Sequence, residues 1–178
     1  RGYLLHGPPG TGKTSLVTAL ASELRLNVCT LSLASPVVTD EKIHTLLAGV
    51  PQRSLLLIED VDAFFRQRDA AHAQVRLSFS GFLNALDGVA TQEGNVLFMT
   101  TNHAEQLDPA LIRAGRIDER VELGLCDEDQ LRRLYLKFRP DEADAQRFAA
   151  LVAAWPQDVA EYLQGLAAAS WSNENDPT

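Results

Sequence analysis

Eight consecutive residues, Gly7-Pro8-Pro9-Gly10-Thr11-Gly12-Lys13-Thr14, fit the pattern GxxxxGK[ST] and stand between an apolar strand-like segment and an amphipathic helix-like one. The pattern has a physical reading. Glycines let successive backbone N–H groups curl around phosphate oxygens, and the helix N-terminus behind them adds positive potential. In such a loop Lys13 would reach the β and γ phosphates of a bound nucleotide, and the Thr14 hydroxyl can ligate Mg2+. A Gly-rich turn with no ligand is the plain alternative for the same residues. A second signal is Ser54-Leu55-Leu56-Leu57-Ile58-Glu59-Asp60, an apolar run that ends in two adjacent carboxylates. At the C-terminal edge of a sheet both acids can face a bound nucleotide. One would hold magnesium and its neighbour would polarise the attacking water. The alternative is a strand that merely leaves the core at charged residues.

These residues need a scaffold, and the chain's rhythm supplies one. Short apolar strands alternate with amphipathic helices, which predicts an α/β fold of the P-loop NTPase type, with a five-stranded parallel sheet between helices. The expected strands are Tyr3–His6, Val28–Leu33, Leu55–Asp60, Val96–Thr101 and Arg120–Leu123, each apolar or β-branched enough for a buried sheet. After Gly12, Leu16, Val17, Leu20, Ala21 and Leu24 share one helical face; Ile43, Leu46 and Leu47 do the same after Asp40. Another helix is expected over Phe79–Leu86. Beyond Cys126 the pattern turns wholly helical, with Asp127 as N-cap and Pro140 and Pro156 as punctuation. The domain expectation is therefore a core over 1–125 and a small all-helical lid over 126–178, with Ser172–Thr178 frayed.

At 178 residues the chain has room for one domain and a small appendage, and 46% hydrophobic with 22% charged residues is ordinary globular composition. A net charge of -8 disfavours non-specific attraction to nucleic acid or anionic lipid. Residues 1–89 carry 8 basic and 8 acidic groups, and 90–178 carry 8 and 16, so the excess acid is C-terminal. Cys29 and Cys126 form no CxxC pair and suggest neither a disulfide framework nor a zinc site. A reducing compartment is the default reading, and no apolar run approaches the roughly 20 residues that span a bilayer. Because the sequence opens directly in a strand-like segment, a fragment is expected, with any targeting or membrane segment lying outside it.

With these motifs in place, the chain resembles the AAA ATPases from Gly2 to about Arg139. Arg1-Gly2-Tyr3-Leu4-Leu5-His6-Gly7-Pro8-Pro9-Gly10, Leu57-Ile58-Glu59-Asp60-Val61-Asp62-Ala63, Phe79-Ser80-Gly81-Phe82-Leu83-Asn84-Ala85-Leu86-Asp87-Gly88 and Thr100-Thr101-Asn102-His103 are similar to one subfamily. That subfamily is the mitochondrial chaperone and translocase of the Rieske iron–sulfur protein, used in assembly of respiratory complex III. Related plant and bacterial ATPases share these motifs. The resemblance implies that the strand before Gly7 lies beside the strand before Asn102, with that of Glu59-Asp60 one further out. It implies Glu59 and Thr14 at the metal, Asp60 as the water-polarising acid, and Asn102 as a sensor whose amide holds the attacking water. A turn-forming Asn is the alternative for Asn102. Leu107-Asp108-Pro109-Ala110-Leu111-Ile112-Arg113-Ala114-Gly115-Arg116 matches the second region of homology, which makes Arg113 and Arg116 arginine fingers acting on a neighbouring subunit's ATP. Their alternative is a solvated ion-pair cluster with Asp108, Asp118 and Glu119.

The implied partners are further copies in a homo-oligomeric ring and a protein substrate, with no nucleic acid and with membrane contact only through a segment outside this chain. The implied location is the mitochondrial inner membrane with the ATPase facing the matrix, the cytoplasm being the alternative. Two other functional readings stand beside the translocase: a nucleotide-gated assembly module with little hydrolysis, and an unfoldase or disassembly chaperone for another substrate. Three departures from the wider family bear on them. The acid pair runs Glu-Asp instead of Asp-Glu, which shortens the reach of the water-polarising acid by about 1.5 Å; the Rieske-chaperone subfamily resembles this chain in that reversal. Ser35, Pro36, Val37 and Val38 offer no aromatic paddle for gripping an extended chain, which suits a folded substrate and equally a simple surface loop. The segment before the first strand, where AAA proteins commonly contact adenine, is absent. Asp62 reads equally as support for the magnesium shell or as an exposed loop carboxylate, and Arg66-Gln67-Arg68 reads as loop. His6, His44, His72 and His103 show no metal-ligand spacing. Trp155, Tyr162 and Trp171 are spaced for packing in the helical tail.

Overall fold

The computed structural model describes residues 1–33, 35, 37–69, 77–90 and 94–154. Pro36, His72, Trp155, Pro156, Tyr162, Trp171 and the Ser172–Thr178 stretch, all read above, lie outside the described residues. The chain divides into two compact units, Arg1–Gly7 with Lys13–Glu122, and Pro8–Gly12 with the chain from Leu123 onward.

The first unit is a five-stranded sheet flanked by helices. In chain order it contains β1 (Gly2–His6), α1 (Lys13–Leu24), β2 (Asn27–Ser32), α2 (Asp40–Ala48), β3 (Ser54–Glu59), α3 (Val61–Asp69), α4 (Phe79–Ala90), β4 (Val96–Thr101), a short 3-10 turn (Ala104–Gln106) and β5 (Glu119–Glu122). The sheet order is β2-β3-β4-β1-β5, and every pairing is parallel. The expected neighbours, β1 beside β4 with β3 one further out, are found.

Position in this order explains the burial of each strand. Central β3 is apolar on both faces, so Leu55, Leu56, Leu57 and Ile58 are all buried. The edge strands β2 and β5, expected to be buried, are largely exposed, with Val28 and Val121 each 41% accessible. A strand with a neighbour on one side only has less of its surface covered. Gly2 in β1 sits so close to the backbone before β5 that an added Cβ would lie 1.7 Å from the Arg116 carbonyl oxygen.

The helices obey the same geometry less faithfully than their apolar spacing suggests. In α1 the buried face is Lys13, Val17 and Ala21, while Leu16 and Leu24 are exposed and Leu20 is half-buried. In α2 Ile43 and Leu47 are buried and Leu46 is exposed. The i, i+4 rows face the sheet, and the leucines one position off that row are turned away. The Thr39 hydroxyl caps α2 by accepting the Lys42 N–H. The stretch read as loop around Arg66-Gln67-Arg68 is helix α3. Its Val61, Phe64 and Phe65 carry the helical spacing and are buried. Phe64 packs 5.8 Å from the Phe82 ring and Phe65 5.3 Å from Phe79, so aromatic contacts hold α3 to α4. Phe82 is wholly buried, and truncating such a residue to Ala costs about 3–5 kcal/mol.

In the second unit, α5 (Glu128–Phe138) and α6 (Glu142–Ala153) pair around Leu131, Ala149 and Val152. Asp127 and Gln130 form a reciprocal capping box at the start of α5, as the N-cap reading of Asp127 expects. The chain leaves α5 at Arg139, passes Pro140, and starts α6 with Asp141 as N-cap. Arg132 bridges the two helices through Glu142 and also bonds Asp129 at 3.1 Å.

Candidate functional site

Parallel pairing of β1 with β4 sets Leu5 against Thr100 and His6 against Thr101, and β3 runs alongside, so Gly7, Glu59-Asp60 and Asn102 emerge at one sheet edge. Helix α1 begins there with Lys13. Lys13 is 8% exposed, and its ammonium donates to the Gly7 carbonyl at 2.7 Å. The Thr14 hydroxyl donates to Glu59 Oε1 at 2.8 Å, which joins the glycine-rich motif to the acid pair. Asp60 is exposed and adopts φ 48°, left-handed for a residue with a side chain. Its N–H donates to Thr100 Oγ1 at 3.1 Å, and its carboxylate has no hydrogen-bond partner among the described residues. Asn102 is half-buried; its N–H donates to Asp62 Oδ1 at 3.2 Å, and its amide group is likewise uncommitted among the described residues.

Within the Pro8–Gly12 segment the Thr11 hydroxyl donates to the Pro8 carbonyl at 3.0 Å, and Pro9 is exposed. Gly7, Gly10 and Gly12 have φ of 138°, 78° and 87°, a conformation only glycine adopts readily. An added side chain at Gly12 would meet nothing within 4 Å among the described residues, so its requirement is conformational and leaves room beside the backbone. Thr14 and Glu59 offer two hard oxygen donors in contact, the donor chemistry of Mg2+, which takes one or two protein oxygens and completes its shell with phosphates and water. Among the described residues no group of three or more His, Cys, Asp and Glu side chains could hold a metal. The residues present fit magnesium-bound nucleotide.

The arginines differ from each other. Arg113 is exposed, and its side chain has no hydrogen-bond partner among the described residues. Arg116 grips Asp87 of α4 in a two-pronged pair, Nε to Oδ1 at 2.7 Å and Nη2 to Oδ2 at 2.8 Å, and donates from Nη1 to the Ala110 carbonyl at 2.7 Å. The hydrogen bond from Arg116 holds the Asp87 carboxyl below its ordinary range, and the same bond raises Arg116. The expected alternative, a cluster with Asp108, Asp118 and Glu119, is not formed. Asp108 accepts the Ala110 N–H, Asp118 accepts the Gly2 N–H, and Glu119 meets Arg1.

The reading of Asp62 as an exposed loop carboxylate is corrected: it is the second residue of α3 and fully buried. Its signal was present in the sequence: an acid one helical turn ahead of Phe65 has its side chain among the core residues. Asp87, Thr100 and Thr101 were also missed as contributors, although each lies inside a motif quoted above. Val38 is buried, so it packs and presents no paddle, whereas Val37 is exposed. His103 pairs with Glu105 at 3.2 Å.

A P-loop strand–turn–helix, an acid pair at the end of the strand two places away and a polar residue just after the strand between define a nucleotide-binding ATPase fold. Residues 3–125 match the family described as ATPase family associated with various cellular activities (AAA), and the chain belongs to that family. It is 50% identical over 158 residues to the mitochondrial chaperone BCS1 of Homo sapiens, covering 84% of this chain and 38% of that protein. It is 44% identical over 174 residues to the probable mitochondrial chaperone BCS1-B of Dictyostelium discoideum, covering 81% and 38%. An AAA-ATPase of Arabidopsis thaliana is 42% identical over 138 residues, covering 71% and 27%. The chain thus spans about two fifths of the length of the first of these relatives. Membership of the family implies nucleotide binding. Among the described residues no helix is long and apolar enough to cross a membrane.

Proposed function

We propose that this chain is the ATP-hydrolysing module of an AAA chaperone that works as a homo-oligomeric ring on a protein substrate, with 1–125 as the ATPase core and 126–178 as a helical lid. The contact between the Thr14 hydroxyl and the Glu59 carboxylate, beside Lys13 and Asp60, carries the reading. Lys13 binds the β and γ phosphates, and the N–H groups of Gly10–Thr14 cradle them, with Gly7, Pro8 and Pro9 shaping the turn. Thr14 and Glu59 would hold Mg2+, which when bound would neutralise charge on the phosphates. Asn102 orients a water with its side-chain amide, and Asp60 accepts a proton from that water as it attacks the γ phosphorus. The bond to the β-phosphate oxygen breaks, giving ADP and phosphate. Arg113 and Arg116 act on the neighbouring subunit's ATP. The likeness to mitochondrial chaperones supports a mitochondrial location, and the motif resemblance supports the inner membrane, a matrix-facing ATPase and the folded Rieske protein as substrate.

The test is ATP turnover per subunit against protein concentration with magnesium, for this chain, Lys13→Ala and Asp60→Asn. Specific activity should rise with concentration. Lys13→Ala should fall to background, and Asp60→Asn should keep nucleotide affinity and lose about 10²-fold in turnover. Turnover no greater than that of Lys13→Ala refutes the reading.

A nucleotide-gated assembly module is the second reading. It is favoured by Arg116, whose guanidinium is held by Asp87 of its own chain. Saturable ATP binding that changes the sedimentation coefficient without turnover would select it.

A further inference from the structure

The buried carboxylate of Asp62 has no part in the roles just assigned, yet it touches the residue that would orient the water. Its Oδ1 accepts two hydrogen bonds, from Thr101 Oγ1 at 2.8 Å and from the Asn102 N–H at 3.2 Å. Thr101 Oγ1 in turn accepts the His103 N–H at 3.0 Å. One carboxylate and one hydroxyl therefore hold three successive residues where the chain leaves β4. On the other side, Thr100 Oγ1 takes the N–H of Asp60 and fixes that residue in its left-handed conformation. The ends of β3 and β4 are laced together by side chains from each other's neighbourhood, and the lacing converges on Asp60 and Asn102. Asp62 and Thr101 are both fully buried, so water does not compete for these bonds. The aromatic packing of Phe64 and Phe65 on α4 fixes the helix from which Asp62 extends.

We propose that Asp62 is a positioning residue for ATP hydrolysis, fixing the Asn102 backbone and with it the direction of the Asn102 amide relative to Asp60. The inference rests on the function proposed above. The direction of a short side chain follows its backbone dihedrals, and those of Asn102 are set by the bond its N–H makes. Reacting groups must be held to within about 1 Å, a misplacement of that size costing on the order of 10²-fold in rate.

The experiment is a double-mutant cycle in this chain: wild type, Asp62→Ala, Asn102→Ala and the double variant. Turnover is measured with magnesium and ATP, affinity with a fluorescent ATP analogue, and folding by circular dichroism. Asp62→Ala should lower kcat by about 10- to 10²-fold with affinity unchanged within about threefold. The double variant should be no slower than Asn102→Ala alone, because Asp62 acts through Asn102. Asp62→Asn keeps an oxygen at the Oδ1 position and should recover most of the lost kcat. Asp62→Ala at the wild-type rate, losses that multiply in the double variant, or kcat and affinity falling together would each overturn the inference. If Asp62→Ala does not fold, the cycle is run with Thr101→Val, which keeps the side-chain shape and deletes the bridging hydroxyl, under the same criteria. A wild type no faster than Lys13→Ala removes the function reading and this inference with it; an active wild type with multiplying losses removes the inference alone.

Discussion

Replacing Gly2 by Ala isolates the cost of one methyl group at the junction of β1 and β5. The new Cβ would lie 1.7 Å from the Arg116 carbonyl oxygen and 2.8 Å from the carbonyl carbon, both backbone atoms that cannot rotate away. Restoring ordinary contact requires a separation of about 1.5 Å more. The two bonds across this junction are Gly2 N–H to Asp118 Oδ2 at 3.0 Å and Asp118 N–H to the Gly2 carbonyl at 2.8 Å. A shift of that size takes both past hydrogen-bonding range. At about 1 kcal/mol net each, with some added strain, the loss is about 2–3 kcal/mol. For a chain of this size that is a fall in Tm of roughly 4–12 °C. Without the clash the sign would reverse, since Gly to Ala at a compatible position stabilises by about 0.4–1 kcal/mol through the unfolded state. Gly88 in α4 is the internal control: an added Cβ there meets nothing within 4 Å among the described residues, so Gly88→Ala should raise Tm. Thermal melts by circular dichroism of both variants decide the matter. A Gly2→Ala protein as stable as wild type, with Gly88→Ala behaving as expected, would refute the close approach of residue 116 to β1.

Asp87→Asn probes the pair with Arg116. The folded value of Asp87 lies below its ordinary 3.8, so the pair's contribution is full above that value and is lost as pH falls through the lowered one. With Asp87 54% exposed, the variant should lose no more than about 1 kcal/mol at pH 7, and urea midpoints of variant and wild type should converge in strong acid. A gap that persists undiminished at low pH contradicts the assignment. Burial first, and the Asp127 charge second, raise the Cys126 thiol, so iodoacetamide should alkylate it more slowly at pH 8 than it does free cysteine. Mass spectrometry of the timed reaction checks this, and a faster rate is the contrary outcome.

The sheet and its parallel sense were readable because short apolar runs alternate with amphipathic helices; the neighbours β1, β4 and β3 came from the family resemblance, and the places of β2 and β5 only from the structure. Strand limits differed by a residue at most positions, and β4 agreed at both ends. What periodicity could not provide was position across the sheet. Val28 and Val121 look like core residues in sequence and are exposed only because β2 and β5 have one neighbour each. Helix α3 was hidden for another reason: Asp62, Arg66, Gln67, Arg68 and Asp69 make it polar on average, and its short apolar row reads as loop until Phe64 and Phe65 are seen against α4. At the candidate site, Lys13, Thr14, Glu59 and Asp60 were identifiable from motif and spacing, and Asn102 from the family resemblance alone. The groups that hold them, Thr100, Thr101 and Asp62, make contacts about 40 residues apart in the chain, which local pattern does not register.

The two ends of the sheet are also unequal in how they would meet a stray chain. Three of the four residues of β5, Glu119, Arg120 and Glu122, are charged, and charge on an open edge discourages the intermolecular pairing that leads to aggregation. Strand β2, Asn27-Val28-Cys29-Thr30-Leu31-Ser32, carries no charge and includes a free thiol. Among the described residues its outer edge carries no further strand, so another extended segment could add there, and Val28→Lys should lower the light scattering of the isolated chain on concentration.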